Sequence, residues 1–161
     1  MKRRVYIETS IPSFYFDTRP QPEMMARRLW TRKWWHENRH QFELVTSVAV
    51  WAELERGNWP NRTRAMRLMN SVEILELTDE IADITRVYIA RRVMPVDPAG
   101  DALHLAVASF HRCDYLLTLN CQHLANARKF AHIRAVNTIL GLDVSELVTP
   151  LELMSGKEEM P

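Results

Sequence analysis

Apolar and polar positions alternate along this chain in two periods, one near 2 and one near 3.6. Arg4 to Ile7 (RVYI) is a short β-branched and aromatic run and reads as a first strand. Residues 23–39 hold helix formers without a breaker. Phe42 to Thr46 (FELVT) reads as a second strand. Ser47 to Arg56 follows as a helix ended by Gly57, a usual residue just past a helix C-terminus. Val72 to Leu77 alternates like a third strand. Thr78 then caps a helix with Asp79 and Glu80 in its first turn, where the helix dipole favours negative charge. Its Ile81, Ile84, Val87 and Tyr88 repeat at helical spacing. Asp97-Pro98 is another start signal, and the helix from there to His111 is apolar on most sides, which predicts a buried central helix. Tyr115 to Leu119 is a fourth strand. Residues 121–140 read as helix in one or two pieces, and Val144 to Val148 as a short last strand. Pro20, Pro22 and Gly57 to Asn61 mark loops.

Strands that alternate with helices imply a parallel sheet covered on both faces. The expected fold is a three-layer α/β/α domain with a parallel central sheet of about five strands. Its 161 residues, 47% of them hydrophobic, suit one domain, expected over 1–155, with 156–161 as a flexible tail. No apolar run approaches a membrane-spanning length. Only Val5 to Ile7 separate the basic first residues from Glu8, too little for a secretory signal. Two cysteines, Cys113 and Cys121, make no disulfide framework, so a reducing cytoplasm is the expected location and both thiols are expected to be inert. The net charge is only +1 but uneven. Residues 1–64 hold twelve basic and seven acidic residues, the rest nine and thirteen. Arg27, Arg28, Arg32, Lys33 and Arg39 supply part of that excess. They form either a solvated helix face or a surface for a polyanion.

Ligands of open parallel sheets bind outside the carboxyl ends of the strands. Glu8 ends the first strand and Asn120 the fourth. Asp101 lies in the first turn of the buried helix, and Glu53 in the helix after the second strand. Three carboxylates and an amide from distant segments can thus meet at one rim. Packed like charges repel and are costly to bury unpaired. A hard divalent cation with oxygen ligands, Mg²⁺ or Mn²⁺, resolves both difficulties. Each residue also has a plainer reading: Glu8 as a surface carboxylate, Asp101 as an extra N-terminal helix charge. Period alone does not choose between Glu53 and Glu55. Asp114 precedes its strand and belongs to the opposite rim. No zinc-site spacing, glycine-rich phosphate loop or Gly-x-Ser-x-Gly elbow occurs.

Four segments carry a resemblance over about residues 3–153: VYIETSIPSFYF, TSVAVWAELERG, DALHLAVASF and DYLLTLNCQHLANA. In this order and spacing the chain resembles the PIN-domain family, the fold of VapC-type toxins of toxin–antitoxin pairs. The Glu-Thr-Ser and Thr-x-Asn-x-x-His wording resembles one branch of it, with His123 and Asn126 in that signature. The resemblance implies a ribonuclease whose quartet of acids binds Mg²⁺ or Mn²⁺. Glu8, Glu53 and Asp101 match three of the four positions as metal ligands. Glu8 stands where an aspartate is usual, and Asn120 completes the catalytic set as an amide in place of the fourth acid. Thr9 and Ser10 fill the place beside the first acid and, with Arg56, are expected to bind substrate. Arg62 and Arg64 are further candidates to guide an RNA backbone. An RNA substrate, a cognate antitoxin protein and a homodimer are the implied partners, with no membrane.

Two departures bear on activity. Glu for Asp lengthens the arm by one methylene, and Asn for Asp lowers the formal site charge from −4 to −3. A catalytically weakened scaffold that binds RNA or an antitoxin without cutting is therefore the second reading, and a DNA nuclease of similar architecture the third. Trp30, Trp34 and Trp35 share one predicted helix, as core residues or as interface anchors. His104, three residues after Asp101, is either a hydrogen-bonding histidine or a helper of the site.

Overall fold

The apolar run that opens the chain becomes the middle of the sheet, because only a strand covered on both faces can bury Val5, Tyr6 and Ile7 completely. The computed structural model describes residues 1–93, 99–120 and 127–158. The strands are β1 (Arg3–Ile7), β2 (Phe42–Ser47), β3 (Glu73–Leu75), β4 (Tyr115–Leu117) and β5 (Glu146–Val148). They lie in the order β3-β2-β1-β4-β5, with every adjacent pair parallel. The expected five-stranded parallel sheet is therefore present.

The helices are α1 (Ser10–Tyr15), α2 (Pro22–Glu37), α3 (Val48–Glu55), α4 (Arg62–Leu68), α5 (Asp79–Ala90), α6 (Ala99–Phe110), α7 (Ala127–Leu140) and α8 (Pro150–Glu158). Right-handed crossovers from β1 through β2 to β3 carry α1 to α4 onto one face, and the return to β4 and β5 carries α5 to α7 onto the other. The packing agrees: α1 lies against α2 and α4, α2 against α8, and α5 against α6. The strand order reverses between β1 and β4. That reversal opens a crevice at their carboxyl ends.

Two helices are not visible in the hydrophobic pattern. α1 is only six residues long, and its Pro12 sits in the first turn, where no N–H is needed. α4 starts after Asn61, whose φ of 67° turns the chain out of the preceding loop. The expected start signal at Asp97-Pro98, together with Cys121, His123 and Asn126, lies outside the described residues. Trp34 and Trp35 are buried, and Trp34 stacks on Phe42 with ring centroids 5.9 Å apart. These two are core residues rather than interface anchors; Trp30 is partly buried against the same core. Asp114 lies at the opposite rim as expected, where its carboxylate accepts the Arg4 backbone N–H at 2.8 Å. Burial pushes the Cys113 thiol up to about 12, so it is inert at neutral pH. Among the described residues no helix is long and apolar enough to cross a membrane.

A buried polar knot holds the second helical layer together. The Tyr88 hydroxyl of α5 donates to Asn137 Oδ1 of α7 at 2.5 Å. Asn137 Nδ2 donates to Ser109 Oγ of α6 at 3.1 Å and to the Asp143 carbonyl at 2.9 Å. Removing one member strands buried partners, which is costlier than losing the bond itself. Asn137→Ala is expected to lower the unfolding free energy by about 2–3 kcal/mol, read by urea denaturation.

Candidate active site

β1 ends at Ile7, so the next residue is delivered to the crevice. Glu8 there is only 2% exposed. Its Oε2 accepts the Ser10 backbone N–H at 2.7 Å, because α1 starts at once and aims its first free N–H groups back at the strand end. Its Oε1 accepts from Asn120 Nδ2 at 3.0 Å. A carboxylate only accepts, so the Asn120 amide must turn its nitrogen, not its oxygen, toward Glu8. Asn120 is fixed in turn by its own N–H on Thr118 Oγ1 at 3.0 Å, and Ser10 Oγ accepts the Leu119 N–H at 2.8 Å. The ends of β1 and β4 are thus stitched together at the point where the strand order reverses.

Around this pair stand Asp101 and Glu53. Asp101 is 7% exposed in the first turn of α6. Glu53, on α3, is half-buried: its Oε1 meets His104 Nε2 at 2.8 Å and its Oε2 accepts from Thr9 Oγ1 at 2.6 Å. Glu55 is exposed, so of the two glutamates Glu53 faces the site. His104 is buried, with Nδ1 2.7 Å from the Tyr6 hydroxyl.

Burial pushes the Glu8 carboxyl up, and the Asp101 charge adds to that rise, against the opposing pull of His104 and Ser10. Burial also acts to raise Glu53, but the hydrogen bond and charge of His104 outweigh it, with Thr9 and Arg56 helping, and hold Glu53 below the usual carboxylate range. For His104 burial favours the neutral ring. Glu53, Glu8 and Asp101 overcome it and raise the imidazole above its ordinary 6.5. The site is an excess of buried negative charge offset in part by one histidine.

That donor chemistry fits a hard divalent cation: the carboxylates are oxygen ligands, and two of them are buried beside each other's charge. The ligand set is not closed. Among the described residues no three His, Cys, Asp or Glu side chains stand as a metal cluster, and Glu53 is turned to His104 and Thr9.

The structure therefore brings Glu8, Glu53, Asp101 and Asn120 to one rim. Thr9 and Ser10 are there too, with their hydroxyl oxygens engaged by Glu53 and by the Leu119 N–H. Arg56 is exposed and its charge reaches Glu53. Arg62 instead donates to the carbonyls of Glu55 and Gly57 and pins the loop after α3, while Arg64 is exposed at the start of α4. The sequence reading missed Tyr6 altogether; a tyrosine in a central strand carries no signal beyond core packing.

A family model described as the PIN domain matches residues 5–143. No curated protein matches the chain. Several solved structures share its fold, and two illustrate the likeness. One is a toxin–antitoxin complex from Klebsiella pneumoniae, with a TM-score of 0.58 and 17% identity, covering 91% of this chain and 97% of that one. The other is VapBC2 from Rickettsia felis bound to a DNA fragment from their promoter, with a TM-score of 0.52 and 13% identity, covering 91% of this chain and 98% of that one.

The charge balance gives a pH test on the metal-free chain. A histidine raised on folding contributes stability that is full below its unfolded value of 6.5 and is lost as pH rises through the folded value. Glu8, also raised, has the same sign: its ionisation costs the fold stability. The melting temperature should therefore fall from pH 6 to pH 9, and Glu8→Gln should raise it by a few degrees at pH 8. An unchanged or lower melting temperature in Glu8→Gln would contradict the uncompensated charge at Glu8.

Proposed function

The chain belongs to the PIN domain family, and on that premise we propose that it is a metal-dependent endoribonuclease, the VapC-type toxin of a toxin–antitoxin pair. The observation that supports this reading is that the charges of Glu8, Glu53 and Asp101 all act on His104 near the rim where β1 and β4 part, with buried charge left over. The resemblance of the fold to two toxin–antitoxin assemblies supports a cognate antitoxin as partner.

In this reading Glu8, Glu53 and Asp101 hold Mg²⁺ or Mn²⁺, which supplies neutralisation of a phosphate oxygen and acidification of a bound water. The chain's own residues do the rest. Asn120 and the Ser10 N–H hold the Glu8 carboxylate against the strand end. Thr9 orients Glu53 from α1. Arg56, on the exposed side, receives the RNA phosphodiester with Arg64, and the basic residues of α2 extend the attraction to the polyanion.

One observation favours the second reading, a weakened scaffold that binds RNA or the antitoxin without cutting. Asn120 spends its amide nitrogen on Glu8, and so contributes no negative charge where a fourth acid would stand. The two readings separate by experiment. Calorimetry with Mn²⁺ should show micromolar binding by the parent and none by Asp101→Asn or Glu53→Gln, with all three folded by circular dichroism. Single-stranded RNA should be cut by the parent and not by these variants, and single-stranded DNA of the same length should not be cut. Binding of Mn²⁺ without cleavage would leave the scaffold reading. Cleavage by the Glu53→Gln, Asp101→Asn double variant at the parent's rate would place the chemistry elsewhere.

A further inference from the structure

We propose that His104 is a positioning residue for Glu53, and that Tyr6 holds the imidazole with Nε2 facing that carboxylate; the proposal rests on the reading of Glu53 as a metal ligand.

Glu53 is a long side chain in the last turn of α3, with 29% of its side chain open to solvent. The partners that fix it come from other elements: His104 of α6 at Oε1 and Thr9, at the start of α1, at Oε2. His104 is itself held from behind. Its Nδ1 is 2.7 Å from the Tyr6 hydroxyl of β1, and that hydroxyl is 2.8 Å from Ser47 Oγ. Ser47 is the N-cap of α3, its Oγ accepting the Ala49 N–H at 3.2 Å. The chain of bonds leaves α3 at its N-cap and returns to it at Glu53. The two ends of one helix are tied through the central strand and the buried helix of the opposite layer.

The donor directions follow from chemistry. An ionised carboxylate only accepts, so His104 Nε2 must carry a proton. In the neutral ring Nδ1 is then an acceptor, Tyr6 donates to it, and Ser47 donates to Tyr6; in the protonated ring Nδ1 donates to Tyr6 and Tyr6 to Ser47. Every group in the loop finds a partner of the right kind. A phenylalanine at Tyr6 would fill the same space but leave Nδ1 without its partner. The ring then loses the contact that fixes its orientation and can turn its Nε2–H away from Glu53. Ring nitrogens behind a metal-binding group commonly work in this way, and losing such a support costs about 10–100-fold in metal affinity or activity.

A plain structural brace predicts something else: lost stability, with the carboxylate unaffected once the chain is folded. The test uses the full chain with His104→Leu, His104→Gln and Tyr6→Phe. Glutamine places an amide N–H near the position of Nε2, so it keeps the donor to Glu53. Calorimetry with Mn²⁺ should give a dissociation constant raised about 10–100-fold in His104→Leu. Most of that loss should be recovered in His104→Gln, and Tyr6→Phe should lie between. Equal Mn²⁺ affinity in all folded variants, with only the melting temperature lowered, overturns the proposal. If His104→Leu does not fold, Tyr6→Phe, which removes one oxygen, and His104→Gln carry the comparison. A parent that binds no Mn²⁺ refutes the metal reading separately, and proton and nitrogen NMR then decides the inference. A solvent-protected imidazole Nε2–H should be present in the metal-free parent and lost in Tyr6→Phe. Its absence from the parent, or its persistence in Tyr6→Phe, overturns the proposal.

Discussion

The site depends on one constraint: a carboxylate at the end of β1 has to stay buried. Glu8 cannot move away, because the strand that carries it is the centre of the sheet and pairs with β2 and β4 on either side. Desolvating its charge is costly unless dipoles or opposite charge compensate. The fold supplies dipoles locally, through the first N–H groups of α1 and the amide of Asn120. It supplies charge more remotely, through His104. The neighbouring features follow from these demands. α1 must begin after only two intervening residues, and β4 must end beside β1. Ser10 bridges the two ends by taking the Leu119 N–H.

The same constraint accounts for what was legible in the sequence. Glu8, Asp101 and Asn120 sit at positions defined by element boundaries: a strand end, a helix first turn, another strand end. Boundaries follow from hydrophobic period and cap residues, so these three can be placed without coordinates. Glu53 lies inside a helix two residues from Glu55. On a short helix with a partly exposed apolar face, period does not say which acid turns inward. α6 settles the choice by reaching across with His104. Tyr6 and Ser47 were invisible for a related reason. Tyr6 looks like ordinary strand material and Ser47 like an ordinary helix start, and the role of each exists only through partners 41 and 98 residues away. α1, six residues long, is too short for a hydrophobic period to reveal it. The tryptophans of α2 were ambiguous because aromatic residues serve cores and interfaces equally well, and burial alone separates the two uses.

The layers on the two sides of the sheet are held in different ways. On the side of α5, α6 and α7, a buried knot of Tyr88, Ser109 and Asn137 is completed by the Asp143 backbone carbonyl. On the side of α1 to α4, arginines cover aromatic rings: Arg19 and Arg27 over Phe14, Arg32 over Tyr15, and Arg39 over Trp35. Arg28 and Arg32 also donate to the carbonyls of Asp17 and Tyr15 at the end of α1. The basic excess of the N-terminal half therefore has structural work close to hand, as packing over rings and as cations at a helix C-terminus. Attraction of a polyanion would come in addition to this, from the same charges.

Glu8 and Asn120 are best understood together. Compared with the aspartates that the family resemblance implies at both places, one has gained a methylene and the other has lost a charge. Taken singly, each change weakens a cation site. In the structure they meet at 3.0 Å, the amide nitrogen donating to the carboxylate. An aspartate at 120 would set a second negative charge against a carboxylate that burial already pushes toward its neutral form. A shorter acid at 8 would draw the carboxylate back from the amide by about one carbon–carbon bond, some 1.5 Å, too far for the 3.0 Å contact to survive. The longer arm and the neutral partner thus suit each other. Restoring one aspartate alone would break the match rather than rebuild a stronger site, because buried neighbours in direct contact do not contribute independently.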